Sequence, residues 1–297
     1  MSAFLFIRHL LYKSLLYLVI MEEKNIDIYE QSITTTFRRL LWSRFLKAIH
    51  EYKLITPKDK ICVCISGGKD SVLLAKLFMC LKKFMKYDFE VKYLVMDPGY
   101  NEANIELIKH NLELLNIPAE IHKTNIFEIA NAQDKSPCFL CAKMRRGALY
   151  NLAKSMGCNK IALGHHYDDV IETTLMNMLS SGSFQTMLPK LHSTNYEGME
   201  LIRPMYFIRE KDIIKFQKKH ELKFLQCACK FTEADAHNEL NSRRKQIKEL
   251  IKDLGKWIPD VEKNLFNAPN NITLDMILGY KKEGIYHSFL DSYDEMD

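Results

Sequence analysis

Six consecutive residues, Ser66-Gly67-Gly68-Lys69-Asp70-Ser71, combine the types needed to hold a phosphate chain. Paired glycines let the backbone turn through positive φ and bring its N–H groups against a ligand. A helix starting at this point adds unpaired donors and a partial positive charge, and together these cradle phosphate oxygens. Lys69 can neutralise charge on a departing pyrophosphate, Asp70 can hold magnesium or a substrate group, and Ser66 and Ser71 can donate hydroxyls. The pattern is not a Walker A loop, because Val63 stands where that motif needs its first Gly and Asp70 where it needs Ser or Thr. Nor does it spell G-x-G-x-x-G. A lone Gly-Gly is usually a plain turn, but Ser, Lys, Asp and Ser in register with it favour phosphate binding.

A second group, Gly164-His165-His166-Tyr167-Asp168-Asp169, carries two adjacent carboxylates ahead of the apolar stripe Val170, Ile171, Thr174, Leu175 and Met178. Asp is a favoured N-cap, which is the plain reading for one of the two. Beside a phosphate loop the pair can also hold magnesium. Gly164 and Asp168 are therefore grouped with the nucleotide-binding residues, and Asp169 with Lys69 and Asp70 as catalytic. The two histidines lack metal-binding spacing.

Cys138 and Cys141 form a C-x-x-C after Pro137, at the start of a helical stretch bearing Arg145 and Arg146, and Cys227 and Cys229 follow much later. A helix start favours thiolates, which suits metal ligation or redox exchange. Four of these thiols could close a zinc site, three could hold an iron–sulfur cluster with one iron open, or the C-x-x-C could cycle as a disulfide. Cys62, Cys64, Cys80 and Cys158 fall inside apolar patterns and read as small buried hydrophobes.

Positioning these groups requires strands that end where they begin. A β-type run at 61–65 precedes the phosphate loop, and further runs at 91–97, 119–125 and 160–164 alternate with helical stretches at 101–117 and 142–157. Alternation with right-handed crossovers predicts an α/β, doubly wound, mainly parallel, Rossmann-like sheet with ligands beyond the carboxyl ends of its strands. Helical spacing of Ile33, Phe37, Leu40, Leu41, Phe45 and Ile49 predicts a helix over 29–53, and residues 205–225 read as helical. The expected divisions are an N-terminal extension and helix (1–56), a catalytic domain with the cysteine site (57–236) and a helical C-terminal appendage (237–297).

Composition sets outer bounds. At 47% apolar and 27% charged residues over 297 positions, disorder, collagen and coiled coil are excluded. The formal charge of +5 permits a polyanionic partner without requiring one. The apolar start, residues 1–20, is interrupted by Arg8, His9 and Lys13 and lacks a cleavage site, so it reads as an amphipathic extension rather than an export signal or a span. Met21, before the polar EEKNIDIYE, is the expected natural start, with upstream read-through before it.

Taken in order, SGGKDS, CFLCAKMRRGALY, GHHYDD with IETTLMNML, LIRP with the REKD of 209–212, and the late cysteine pair resemble the tRNA 2-thiocytidine synthetase family of the PP-loop ATP pyrophosphatases, over roughly residues 30–250. The resemblance implies an adenine-nucleotide α-hydrolase fold, ATP and Mg2+, and a 4Fe-4S cluster on Cys138, Cys141 and Cys227. The family commonly shows a second C-x-x-C where this chain reads Gln226-Cys227-Ala228-Cys229; Cys227 stands at the family's first cysteine and Cys229 is a spare thiol. The implied reaction adenylates C2–O of an anticodon-loop cytidine, extruded from its stack, and replaces AMP with sulfur delivered from an iron the protein leaves open. It implies tRNA as partner, a sulfur donor such as a cysteine desulfurase, a homodimer, a cytoplasmic location and no stable membrane association. Arg145, Arg146 and Arg203 are the candidate RNA contacts, with Arg209 and Lys211 beside them, against the plain reading of solvated charge.

Rival readings are separable. A tRNA-Ile lysidine synthetase would need no paired cysteines, and a thiouridylase with terminal zinc pairs fits poorly, since no Cys precedes residue 60 or follows 229. A thiouracil desulfidase would not need the phosphate loop. A zinc-stabilised RNA-binding protein without catalysis would not turn over ATP.

Overall fold

The structure, a computed structural model, describes residues 27–84, 88–132, 137–225 and 239–295. Strand β1 (Lys60–Ile65) is KICVCI, a β-branched and apolar run in which every residue after Lys60 is buried. It lies centrally, pairing in parallel with β2 (Glu90–Asp97) and with β4 (Lys160–Ala162). Adding β3 (Ala119–Lys123), β5 (Lys190–His192) and β6 (Glu200–Ile202) gives a six-stranded sheet of order β3-β2-β1-β4-β6-β5, parallel except for β5. This is the mainly parallel α/β sheet that the alternation predicts. The order runs outward from β1 to β3 and then returns to β4 on the other side of β1. The winding therefore reverses between β1 and β4, where a crevice opens beyond their carboxyl ends.

Before β1, the helical spacing resolves into α1 (Ile28–Thr34), a π-helical turn (Arg38–Trp42) and α2 (Ser43–Glu51). Ile33, Phe37, Leu41, Phe45 and Ile49 are buried, as their period requires, and Leu40 is half-buried. Helix α3 (Lys69–Phe84) follows the phosphate loop and packs Phe78 edge-on against Phe45 at 5.6 Å. Its Lys76 is buried, and Nζ lies 3.2 Å from Glu30 and 2.9 Å from the Leu115 carbonyl oxygen, tying α1 to the helix behind the loop. A buried ammonium requires such partners.

Next come α4 (Glu102–Leu114), α5 (Ile126–Asn131), α6 (Pro137–Ser155), α7 (Tyr167–Ser181) and α8 (Glu210–Lys219). The helix expected over 205–225 is confined to α8. It starts at Glu210, whose N–H is taken by Asp168, and Glu221 at φ 52 closes it.

Two compact units are present. One holds the described residues through Asp168 and from Leu188 to 225, and the other holds Asp169–Met187 and the chain from Glu239 onward. In the second unit, α9 (Glu239–Leu254) and α10 (Val261–Asn267) are helical as expected, but β7 (Gly279–Lys282) and β8 (Ile285–Ser288) form an antiparallel hairpin. Its connection, Glu283-Gly284, has φ of 54° and 84°, the two positive values of a type I′ turn. A helical reading of the tail missed this turn. The expected start at Met21 and the amphipathic extension lie outside the described residues.

Candidate functional site

The loop between β1 and α3 is braced by its own serines. Ser71 Oγ donates to the Gly68 carbonyl at 2.9 Å and accepts from the Ser66 N–H at 3.1 Å, and Ser66 Oγ lies 3.2 Å from it. The Ser71 hydroxyl thus shapes the cradle from within. Gly67 has φ +82°, and a Cβ there would meet Ile108 Cγ1 at 2.7 Å and Leu225 Cδ1 at 2.8 Å. Leu225 N–H donates to the Gly67 carbonyl at 3.2 Å. At Gly68 the nearest atom to an added Cβ, Ser66 Oγ, is 3.7 Å away, an ordinary contact, so a methyl group fits there without a clash.

The 164–169 loop leaves β4 and meets the phosphate loop backbone to backbone. A Cβ on Gly164 would lie 3.0 Å from the Asp70 carbonyl carbon and 3.1 Å from Ser71 N. Backbone atoms cannot swing aside as a side chain can. Gly164→Ala is expected to destabilise the fold by about 1–2 kcal/mol, read as a lower denaturant midpoint; an unchanged midpoint would show that the loops have room to separate.

Charges in the first unit converge on Lys69. Its Nζ lies 3.2 Å from Asp70 Oδ2 and 3.1 Å from Glu210 Oε1. Burial lowers the Lys69 pKa, but the Asp70 and Glu210 carboxylates outweigh it and hold the value above the ordinary one, so the ammonium persists. Buried His166 stands between carboxylates, with Nε2 3.8 Å from Asp70 Oδ1 and Nδ1 3.8 Å from Asp168 Oδ2. Asp168 accepts from Arg209 Nη2 at 2.9 Å and Nε at 3.1 Å, and from the Glu210 N–H at 2.7 Å. It therefore caps α8 rather than its own helix, and the Arg209 guanidinium lies 4.8 Å from the Tyr167 ring. Asp169 falls in the second unit, where its Oδ1 is 3.4 Å from Arg244 Nη1.

On the other flank, the turn after β2 presents Tyr100. Asp97 Oδ1 accepts from the Gly99 and Tyr100 N–H groups at 2.8 and 2.7 Å, and the Tyr100 hydroxyl donates to the Ser66 carbonyl at 3.3 Å. Burial raises the Tyr100 pKa; Arg145 opposes the rise, while Asp97 and Cys141 add to it. Arg145 and Cys141 therefore stand within electrostatic reach of a side chain that touches the phosphate loop. Arg146 and Arg203 both act on Tyr150 instead. Arg146 is exposed, and Arg203 donates to the Leu188 carbonyl, fastening the chain before β5.

Cys138 lies in the first turn of α6 and Cys141 about one turn further on. Cys141 is a half-buried thiol. Its donor chemistry and its place at a helix start fit a metal or cluster ligand. Cys227 and Cys229 lie outside the described residues. Among the described residues no three His, Cys, Asp or Glu side chains gather as a metal group. Cys62, Cys64, Cys80 and Cys158 are buried, and burial pushes the Cys80 thiol up to about 12. Reading the sequence missed Tyr100, Glu210 and Arg244. The Asp-Pro-Gly turn closing a strand beside β1 was the available signal for Tyr100; nothing local marks Glu210 or Arg244.

A parallel sheet with this glycine loop at its point of reversal defines the PP-loop class, and a family model described as a PP-loop domain matches residues 39–250. The tRNA-cytidine(32) 2-sulfurtransferase of Geotalea uraniireducens is 36% identical over 234 residues, covering 77% of this chain and 90% of that protein. The protein of the same name from Coxiella burnetii is 34% identical over 241 residues, 79% of this chain and 90% of its own. The U34-tRNA thiolase NcsA from Methanococcus maripaludis, solved with its [4Fe-4S] cluster, shares the fold at TM-score 0.61 and 20% identity, over 81% of this chain and 80% of that one. The chain belongs to the tRNA-cytidine(32) 2-sulfurtransferase family.

Proposed function

We propose that the protein is an ATP-dependent tRNA sulfurtransferase that replaces the C2 oxygen of an anticodon-loop cytidine by sulfur. One observation supports this reading: Tyr100 donates to the Ser66 carbonyl of the phosphate loop, and Cys141 near the start of α6 lies close enough to add to the rise in the Tyr100 pKa. On this reading nucleotide and thiol chemistry share one crevice. In this reading the backbone N–H groups after Gly67 and the start of α3 receive the ATP phosphates, and the Lys69 ammonium meets charge developing on the leaving pyrophosphate. The cytidine oxygen attacks the α-phosphorus, giving an adenylated base. Tyr100, protonated at neutral pH, keeps Ser66 and the thiol-bearing turn in register. Asp70 would hold Mg2+, and Cys138, Cys141 and Cys227 would hold a 4Fe-4S cluster, which when bound supplies sulfur through an iron free of protein ligands.

Arg145, beside Tyr100, is the arginine favoured to meet RNA phosphate near the crevice; Arg146 and Arg203 would meet it further out. A cysteine desulfurase as sulfur source and a cytoplasmic location belong to the same proposal. No helix among the described residues is long and apolar enough to cross a membrane. A homodimer is supported by exposed apolar side chains in the second unit, where Trp257 and Met276 are each 82% exposed.

Anaerobic purification tests the proposal. A brown protein containing iron and sulfide, which forms 2-thiocytidine in tRNA only when given ATP and a sulfide source, is the expected result. A colourless zinc protein that leaves tRNA unthiolated would reject it.

A further inference from the structure

The ion pair between Lys69 and Glu210 joins the first turn of the phosphate-loop helix to the first turn of α8. With Asp70 on another side, two carboxylate oxygens lie 3.1 and 3.2 Å from the ammonium nitrogen. A polyphosphate entering the loop needs this ammonium as its counter-charge and must take it from carboxylates already in contact. Asp70 travels with Lys69 as its sequence neighbour. Glu210 does not; it belongs to another helix, and that helix start is pinned independently. Asp168 accepts the Glu210 N–H at 2.7 Å, and Arg209 grips Asp168 through two nitrogens. Glu210 is about one-fifth exposed, so water screens the pair only in part.

We propose that Glu210 is a positioning residue that acts on the nucleotide through Lys69, holding the ammonium between turnovers and competing with phosphate for it. This rests on the phosphate-loop reading above. Its consequence is an affinity for ATP and pyrophosphate set below what the loop alone would reach. Uniformly tight binding of reactant and leaving group gives no rate advantage and would retain the pyrophosphate.

Titration calorimetry with Mg2+ and either inorganic pyrophosphate or a non-hydrolysable α,β-methylene ATP tests the competition. Glu210→Gln keeps the shape of the side chain and removes its charge, and is expected to tighten both ligands about five- to tenfold. Lys69→Met should weaken them. In the Lys69→Met background, adding Glu210→Gln should change nothing, because the effect runs through the ammonium. Glu210→Asp, whose carboxylate is withdrawn by one methylene, should fall between wild type and Gln, and it carries the test should the Gln variant not fold. Unchanged or weaker binding by Glu210→Gln overturns the proposal, and so does tightening that persists without Lys69, which would mean direct repulsion by Glu210. A wild-type protein that binds neither ligand would instead overturn the phosphate-loop reading.

Discussion

Cys141→Ala is expected to reduce thiolation about a thousandfold or more while ATP still binds. The two effects separate because of where the residue sits. Cys141 lies near the start of α6, whereas the phosphate loop is braced by its own serines. Removing the thiol leaves the Ser66–Ser71 brace and the Lys69 charge pair in place. It does remove one of the three sulfur donors assigned to the cluster, and a site short of a ligand does not retain the metal. Iron per chain should fall in step with 2-thiocytidine, measured by mass spectrometry of digested tRNA, while calorimetric ATP affinity stays at the wild-type value. Full thiolation by this variant would remove Cys141 from the chemistry.

Gly67→Ala is expected to cost about 2–4 kcal/mol of stability and to abolish nucleotide binding, the sum of two penalties. A side chain at φ +82° is strained wherever it sits, and here its Cβ would also overlap Ile108 and Leu225 at 2.7 and 2.8 Å. Ile108 is almost wholly buried on α4 and has no room to withdraw. The adjacent Gly68→Ala provides the control, since the nearest atom to its Cβ would stand at an ordinary contact distance of 3.7 Å. That variant should unfold at the wild-type denaturant concentration and differ only in ATP affinity. Equal midpoints for the two variants would show that the loop is more plastic than its contacts imply.

What could be read from the sequence was what lies together along the chain. SGGKDS after a buried strand, and GHHYDD after another, fixed both loops of the crevice, because strand–loop–helix order dictates where a parallel sheet presents its carboxyl ends. Residues that meet only in space were harder to find. Glu210 stood inside the quoted REKD, yet nothing in those four letters says that it reaches Lys69, 141 positions earlier by number. Asp168 reads as a nucleotide-binding residue and Asp169 as a catalytic one, whereas folding points the first at Arg209 and the second at Arg244, since neighbours on a helix face different ways. The terminal hairpin was hidden by weak alternation in GYKKEGIYHS, where the Glu-Gly turn was the signal and the surrounding charges suggested helix.

The hydrogen bond from Leu225 to Gly67 unites parts of the protein that the sequence keeps far apart. The segment entering the late cysteine pair sets out from the same peptide group that shapes the nucleotide cradle. A shift of the backbone at Leu225 is therefore expected to be felt at the cradle, and a change in the cradle at Leu225.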